Sequence, residues 1–317
     1  MTIELRNQGV SAPALARAAR VSIGVPAYNA ARYLALTLDS LIRQTYADVE
    51  IIVSDNASTD ETPDIASDFA RRDPRVRHVR SPENIGAGRN FIRCVQLARG
   101  ELFRWASADD LSAPTFVERC VEVLDAHPDV VQAFPRTTLI DENGFALKQI
   151  DDPVATMSDS PRERYMHVMR NLTLVNSLYG VMRTATLRRT AIHGTYRGAD
   201  LVVQAELALY GKIAQVPEYL FFRRLHPQAH SAMTREQQLA FHQPEARAHR
   251  VEFTRWRQLA ERLRTVLRSS ISARDKALLS MTLAREGVKS RDELFGELYE
   301  VMHDRFAEGE GHFGGRG

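Results

Sequence analysis

Asp109 and Asp110 stand side by side directly after the apolar run Leu102 to Ala106. Two adjacent carboxylates at the end of a buried strand make a hard oxygen site, of the kind that Mg²⁺ or Mn²⁺ accepts together with phosphate oxygens. Other apolar runs end in comparable residues. The first runs into Pro26-Ala27-Tyr28-Asn29, the second into Ser54-Asp55-Asn56-Ala57-Ser58-Thr59-Asp60, and the third into Asn84-Ile85-Gly86-Ala87-Gly88-Arg89-Asn90. The fourth gives Ser107-Ala108-Asp109-Asp110. Asp55 is an acceptor suited to the imide N–H of a base, and Tyr28 can lie against the ring. Arg89, next to Gly86 and Gly88 where a helix begins, suits a diphosphate, because helix N-termini and guanidinium groups both favour anions. The chemistry implied is recognition of a nucleoside diphosphate through a divalent cation. Its binding residues are Pro26, Tyr28, Asn29, Asp55, Ser58, Asn84, Gly86, Arg89, Ser107, Ala108 and Asp109.

Taken singly, each of these has a plainer reading. An Asp-Asp pair caps helices or sits in solvated loops, and Ser58 and Asp60 suit the cap of the next helix. Gly86-x-Gly88 alone is a weak phosphate signal, and no Gly-x-Gly-x-x-Gly follows the first strand, which excludes the dinucleotide fingerprint. Four such sets in chain order on one rim are what point to a site.

The elements that must carry them alternate. Val21 to Val25 is a short β-rich run stopped by Pro26, and Asn29 can cap a helix whose Leu34, Leu38, Leu41 and Ile42 share one face. Val49 to Val53 is a second strand. Thr62-Pro63 starts a helix striped by Ile65, Ala66, Phe69 and Ala70. Val76 to Val79 leads to a helix with Phe91, Cys94, Val95 and Ala98 on one side, and Pro114 opens another with Phe116, Val117, Cys120, Val121 and Leu124 inward. This order predicts an α/β fold: a Rossmann-like, mainly parallel sheet flanked by helices, with ligands beyond the carboxyl ends of the strands. Further on, Val130 to Ile140 and Ser177 to Met182 read as strands, Asp141 to Gly144 as a turn, and Leu201 to Tyr210 as a helix halted by Gly211. Past Pro244 the chain is helical and polar, with stripes at Phe253, Trp256, Ala260, Leu263 and Leu267 and at Leu294, Phe295, Leu298 and Met302. The expected division is an arm over 1–20, a catalytic domain over 21–244 and a helical region over 245–317 with a glycine-rich tail. Within the domain, 21–129 is the nucleotide half and 130–244 the acceptor half. The Phe253–Leu267 stripe is a candidate homodimer surface.

Composition narrows the setting. The 317 residues are 44% apolar and 26% charged, with 42 basic and 40 acidic side chains for a net charge of +2. That balance gives no case for a nucleic acid partner or for membrane attachment by charge. Cys94 and Cys120 both fall in helical patterns and read as buried small hydrophobes. No apolar run approaches the roughly 20 residues of a membrane span, and arginines interrupt the start of the chain where a signal peptide would need an apolar core. The expected location is cytoplasmic, with peripheral contact to the inner membrane as the variant.

From Val21 to about Ser231 the sequence resembles the family 2 glycosyltransferases, inverting enzymes of the GT-A fold that use nucleotide-activated sugars. Val25-Pro26-Ala27-Tyr28-Asn29 is similar to their opening strand and Pro-x-Tyr-Asn. Val53-Ser54-Asp55-Asn56-Ala57-Ser58-Thr59-Asp60 is similar to Val-Asp-Asp-Gly-Ser-x-Asp, with Asp55 taken as the second aspartate and Ser54 in place of the first. Asn84 to Asn90 resembles a shortened Asn-x-Gly-x-x-x-Ala-x-Asn. Ser107-Ala108-Asp109-Asp110 keeps the second half of the Asp-x-Asp-Asp metal motif, as in a bacterial subgroup with a degenerate motif. The resemblance implies Asp110, Asp109 and His226 as ligands of Mn²⁺ or Mg²⁺, and Asp200 as the general base, although Asp200 also suits a helix cap. It implies Arg224 at the diphosphate, chosen over Arg223 because alternate residues of an extended segment face opposite ways. The implied reaction is metal-assisted, inverting hexosyl transfer from a nucleotide-sugar donor, a UDP-sugar ahead of a GDP- or dTDP-sugar, to an acceptor hydroxyl, as in polysaccharide biosynthesis. The alternatives are a sugar nucleotidyltransferase, whose usual Gly-x-Gly-x-x-Arg loop is absent after the first strand, and an inactive nucleotide-binding protein, which Ser54 and Ser107 permit.

Overall fold

The structure, a computed structural model, describes residues 18–229, 234 and 253–299. The expected arm up to residue 17, the boundary at Pro244, Met302 and the glycine-rich tail lie outside the described residues. The first half runs β1 (Val21–Ala27), α1 (Ala31–Ile42), β2 (Val49–Asp55), α2 (Thr62–Arg72), β3 (Val76–Arg80), α3 (Ala87–Leu97), β4 (Leu102–Trp105), β5 (Leu111–Ser112) and α4 (Phe116–Ala126). Strands β3, β2, β1 and β4 are parallel neighbours in that order. β1 continues through Pro26, which was expected to stop it. β4 leaves the ladder after Trp105, so the missing N–H of Pro26 costs no bond on that side.

Alternation along the strands builds two cores. Val21, Ile23 and Val25 with Ile51 and Val53 face α1, α2 and α4, while Ile52 and Phe103 face α3 and the helix Ala199–Tyr210. Cys94 and Cys120 fall in these opposite cores as free, buried thiols.

The second half comprises β6 (Val130–Ile140), β7 (Ala146–Ile150), α5 (Pro161–Asn171), a 3₁₀ turn (Val175–Tyr179), β8 (Val181–Arg183), α6 (Thr184–Leu187), α7 (Ala199–Tyr210) and β9 (Lys212–Arg224). The sheet becomes mixed here. β8 is antiparallel to β4 and β6, β9 is parallel to β6, and β5 and β7 pair antiparallel to β9 and β6. The strand expected over Ser177 to Met182 is therefore mostly the 3₁₀ turn followed by a short β8. α5 was not foreseen, although Ser160-Pro161-x-Glu163 announces it: the Ser160 hydroxyl accepts from the Glu163 N–H at 3.3 Å. Its apolar side is interrupted by Arg164, buried because it donates to the carbonyls of Ala208, Ser158 and Asp159.

Helices α8 (Thr254–Arg268) and α9 (Ala273–Lys289) follow. Val266, Leu279 and Leu283 share one apolar core with Phe134, Tyr165, Val168, Ala205 and Ile213. Of the stripe read from the sequence as a candidate homodimer surface, Phe253, Trp256, Leu263 and Leu267 are exposed. α8 is fixed to α7 by Arg268, whose Nε donates to Glu206 Oε1 at 2.6 Å and whose Nη2 pairs with the other oxygen. Glu206 is fully buried whereas Arg268 is partly exposed. Arg268→Ala strands that carboxylate and should destabilise the fold by about 3 kcal/mol, the low end for such a loss because water reaches the guanidinium. Urea denaturation measures this, and an unchanged midpoint would show that the pair contributes nothing.

Candidate active site

The loop after β2 reaches across to begin α1. Asn29 N–H donates to Ser58 Oγ at 3.0 Å, Ala30 N–H to Thr62 Oγ1 at 2.8 Å and Ala31 N–H to Asp60 Oδ2 at 3.0 Å. The free amides at the start of α1 are thus satisfied from a neighbouring loop. Asn29 is not the cap expected of it: it holds a φ of +48°, and its Oδ1 accepts from Thr59 N–H at 2.8 Å. Ser58 is likewise a structural acceptor here. Pro26 and half-exposed Tyr28 lead into this loop, and Tyr28 keeps its ring available for stacking.

Asp55 is fully buried at the end of β2. Its Oδ1 accepts from Ser58 N–H at 2.9 Å and its Oδ2 from Arg80 Nη1 at 3.1 Å. Ala57 has a φ of +61°, the conformation glycine adopts most easily. Ala57 thus occupies the glycine of Asp-Asp-Gly-Ser-x-Asp, with Ser58-Thr59-Asp60 after it in register. This corrects the alignment. Asp55 stands at the first aspartate, Asn56 replaces the second, and Ser54 precedes the motif. Asn56 Nδ2 donates to Asn84 Oδ1 at 2.7 Å, and Asn84 Oδ1 also accepts from Gly86 N–H at 2.9 Å. Asn84 therefore joins the second and third loops. Gly86, at a φ of +81°, precedes α3. Gly88 lies so close to the Gly194 carbonyl that a Cβ would stand 2.4 Å from its oxygen. Arg89 in the first turn of α3 is exposed and makes no hydrogen bond or ion pair among the described residues.

On the fourth loop the two aspartates diverge. Asp109 Oδ1 accepts from Ser107 Oγ at 2.5 Å, and its Oδ2 lies 2.9 Å from His226 Nε2. Ala108 separates the two partners on the loop. Asp110 points inward, where its Oδ1 accepts the Arg224 N–H at 2.7 Å. Burial pushes the Asp109 carboxyl up, but the hydrogen bonds from His226 and Ser107 outweigh it and hold the group below its ordinary value. Burial and the charge of Asp109 push Asp110 well above its own. Arg224 was expected at the diphosphate. Its Nε donates to the Asp109 carbonyl at 2.9 Å, its Nη1 to the carbonyls of Asp141 and Glu142, and its guanidinium covers the Tyr33 ring. It braces the loop.

The bond to Asp109 raises His226 above 6.5, against partial burial. The sign follows for each partner. The His226 contribution is full below 6.5 and fades as pH rises through the raised value; the Asp109 contribution is full above 3.8 and fades as pH falls through the lowered one. In metal-free protein the His226 imidazole should titrate above 6.5 by NMR and return toward it in Asp109→Asn. A wild-type midpoint at or below that value would contradict the pairing.

Asp200 lies in the first turn of α7, behind Gly198 at a φ of +83°. Its Oδ1 accepts from Leu201 N–H at 3.0 Å. It is within electrostatic reach of the Tyr179 phenol, as are Asp110, Asp109 and Arg223, and burial with these carboxylates raises that phenol. Tyr179 thus feels both the start of α7 and the fourth loop. Tyr33, Arg80, Tyr179 and Arg223 were not singled out from the sequence as site residues. Arg80 meets Asp55 across the β2–β3 pair and Arg223 meets Asn176 of the 3₁₀ turn, pairings that local spacing does not encode, whereas Tyr33 offered a signal by lying in the first turn of the helix that follows the first rim loop.

The donors fit a hard cation in part. Asp109 Oδ2 and His226 Nε2 converge, and substrate phosphates and water would complete a Mg²⁺ or Mn²⁺ shell. Asp110 does not fit, since its buried carboxyl favours the neutral form and accepts a backbone N–H. Among the described residues no cluster of three or more His, Cys, Asp or Glu residues is placed to hold a metal.

The sequence profile of "Glycosyl transferase family 2" matches residues 22–196. The chain belongs to that family. Uncharacterized protein Rv1520 of Mycobacterium tuberculosis is 30% identical to this family 2 chain over 219 residues, 68% of this chain and 62% of that protein. Chondroitin synthase of Escherichia coli is 30% identical over 139 residues, 44% of this chain and 20% of the synthase. The match therefore spans less than two thirds of these curated relatives. Among solved structures, Staphylococcus aureus TarS 1-349 in complex with UDP-GlcNAc superposes with a TM-score of 0.63 at 15% identity, covering 90% of this chain and 81% of TarS. Mannosyltransferase PcManGT from Pyrobaculum calidifontis, in complex with GDP-Man and Mn²⁺, gives 0.50 at 19% identity, covering 95% and 90%. The family 2 chain thus has the GT-A fold, with its mixed sheet and helical C-terminal region. No helix among the described residues is long and apolar enough to cross a membrane.

Proposed function

We propose that this protein transfers a sugar from a nucleoside diphosphate sugar to an acceptor hydroxyl with inversion at the anomeric carbon. The observation that carries the reading is the ionised Asp109 paired with His226 on the rim of the parallel strands, where a diphosphate and its cation can be gripped together. Bound Mn²⁺ or Mg²⁺ would supply charge neutralisation on the diphosphate. Asp109 and His226 would hold it, Tyr28 would lie against the base and Arg89 would face the phosphates. The Asp55 carboxylate, already engaged by Ser58 and Arg80, would meet the base only through its remaining lone pairs. Asp200 takes the proton of the acceptor hydroxyl as its oxygen bonds to the anomeric carbon, and the bond from that carbon to the diphosphate oxygen breaks, releasing the nucleoside diphosphate. UDP-GlcNAc bound to TarS and GDP-Man with Mn²⁺ bound to PcManGT support a donor of this class.

The test is incubation with UDP- and GDP-sugars plus Mn²⁺ and measurement of free nucleoside diphosphate. Release that depends on Mn²⁺ is expected. Pyrophosphate formed from a nucleoside triphosphate and a sugar phosphate would replace the reading by nucleotidyl transfer, and binding without turnover would replace it by an inactive binder. The outward Phe253–Leu267 stripe is where a homodimer would form; sedimentation equilibrium showing monomer throughout would remove that idea.

A further inference from the structure

We propose that the outward face of α8 and α9 docks on a bilayer surface that carries anionic lipid headgroups, an inference independent of the sugar-transfer reading. The two helices turn Val266, Leu279 and Leu283 into the core. Their opposite side leaves large apolar residues in solvent. On α8 these are Trp256, Leu263 and Leu267, seven and four residues apart; on α9 they are Met281 and Val288, seven apart. Such spacings hold residues on one face of a helix. Trp256 and Val288 line the same apolar groove together with Phe295, so the two stripes are continuous across the helix pair. Val288 is 64% exposed and Phe295 60%.

Positive charge gathers around this strip. Residues 253–299 hold ten basic and six acidic side chains, a net charge of +4 in a chain whose total is +2. Arg274 and Arg285 share the face of Met281 and Val288, and Lys289 adjoins it. All three are exposed and make no hydrogen bond or ion pair among the described residues. Arg264, beside Leu263, is also exposed, although it pairs with Glu261. The acidic residues offset little of this. Glu297 is buried against the N–H groups of Arg255 and Trp256, while Asp292 and Glu293 pair with Arg291 and Arg255.

An apolar helix face rimmed by arginine and lysine suits the membrane interface. Its apolar side chains enter the acyl boundary while the long cationic ones keep their heads at the phosphates. A second copy, the occupant considered above, fits less well. A two-fold contact sets the same patch against itself and would bring the unpaired Arg274, Arg285 and Lys289 of both copies together.

Vesicles of phosphatidylcholine, alone or with an equal part of phosphatidylglycerol, are co-sedimented with the full-length protein while tryptophan emission is recorded. Trp105 is fully buried, so a shift reports Trp256. Saturable binding to the mixed vesicles is expected, with a blue shift, a decline as salt is raised, and about tenfold weaker binding to phosphatidylcholine alone. Arg274→Gln, Arg285→Gln and Lys289→Gln combined should weaken binding by about a hundredfold, near fivefold for each charge. Val288→Ser with Phe295→Ser should weaken it by about tenfold or more. The substituted side chains are all exposed, so melting temperatures should match wild type. No binding to the mixed vesicles, equal binding to both kinds, or wild-type binding by the triple variant would overturn the proposal. So would a dimer in sedimentation equilibrium that Val288→Ser with Phe295→Ser disperses while vesicles stay unbound, the result expected if a second copy covers the face.

Discussion

Asp109→Asn should lower donor turnover by about a hundredfold or more, while Asp110→Asn stays within a few-fold of wild type. The contrast follows from orientation. Asp109 is the ionised, partly exposed member of the pair, bonded to Ser107 and His226. An amide there removes the charge that the proposed cation would need to neutralise a diphosphate. Asp110 is buried, favours its neutral form, and accepts the Arg224 N–H through Oδ1. Asparagine presents an equivalent carbonyl oxygen to that N–H. Steady-state kinetics with Mn²⁺ calorimetry on both variants decides it. If Asp110→Asn proves the crippled variant, the cation is seated differently from the arrangement drawn here.

Asp200→Asn should lower kcat by about 10²–10⁴-fold, the range of a lost general base, and leave donor affinity intact. The amide oxygen can still accept the Leu201 N–H, so the first turn of α7 keeps its bond. What disappears, on the proposed mechanism, is the capacity to take a proton from the acceptor. Hydrolysis of the donor by water should fall less than transfer, since Asp109 and His226 are untouched. Near-wild-type transfer in this variant would remove Asp200 from the mechanism.

Much of this arrangement is legible in the sequence. Short apolar runs separated by amphipathic stretches specify the four parallel strands, and their polar ends name the rim. Which carboxylate turns outward was not legible. Asp110 points inward because β9 returns beside it and offers the Arg224 N–H, a long-range pairing that local spacing does not encode. Strand alternation selected Arg224 over Arg223, but the Arg224 guanidinium meets carbonyls of the turn after β6 rather than standing free for phosphate. The register at Asp55 depended on which residue adopts a positive φ, a property of the backbone. The inward face of α8 was not legible for a related reason. Its large apolar residues are the outward ones, and the contacts that hold it run through Arg268, Gln258 and Val266.

Gln258 Nε2 bonds the Arg197 carbonyl at 3.0 Å, Arg257 covers the Tyr196 ring, and Arg268 neutralises Glu206. All three contacts grip the segment that presents Asp200. The helices beyond the sheet are thus not an accessory that could be trimmed to leave a competent minimal enzyme. Shortening the polypeptide ahead of them would abandon the Glu206 carboxylate without its counter-ion and loosen the front of α7, so on the proposed mechanism proton transfer to Asp200 would fail even with the nucleotide still bound.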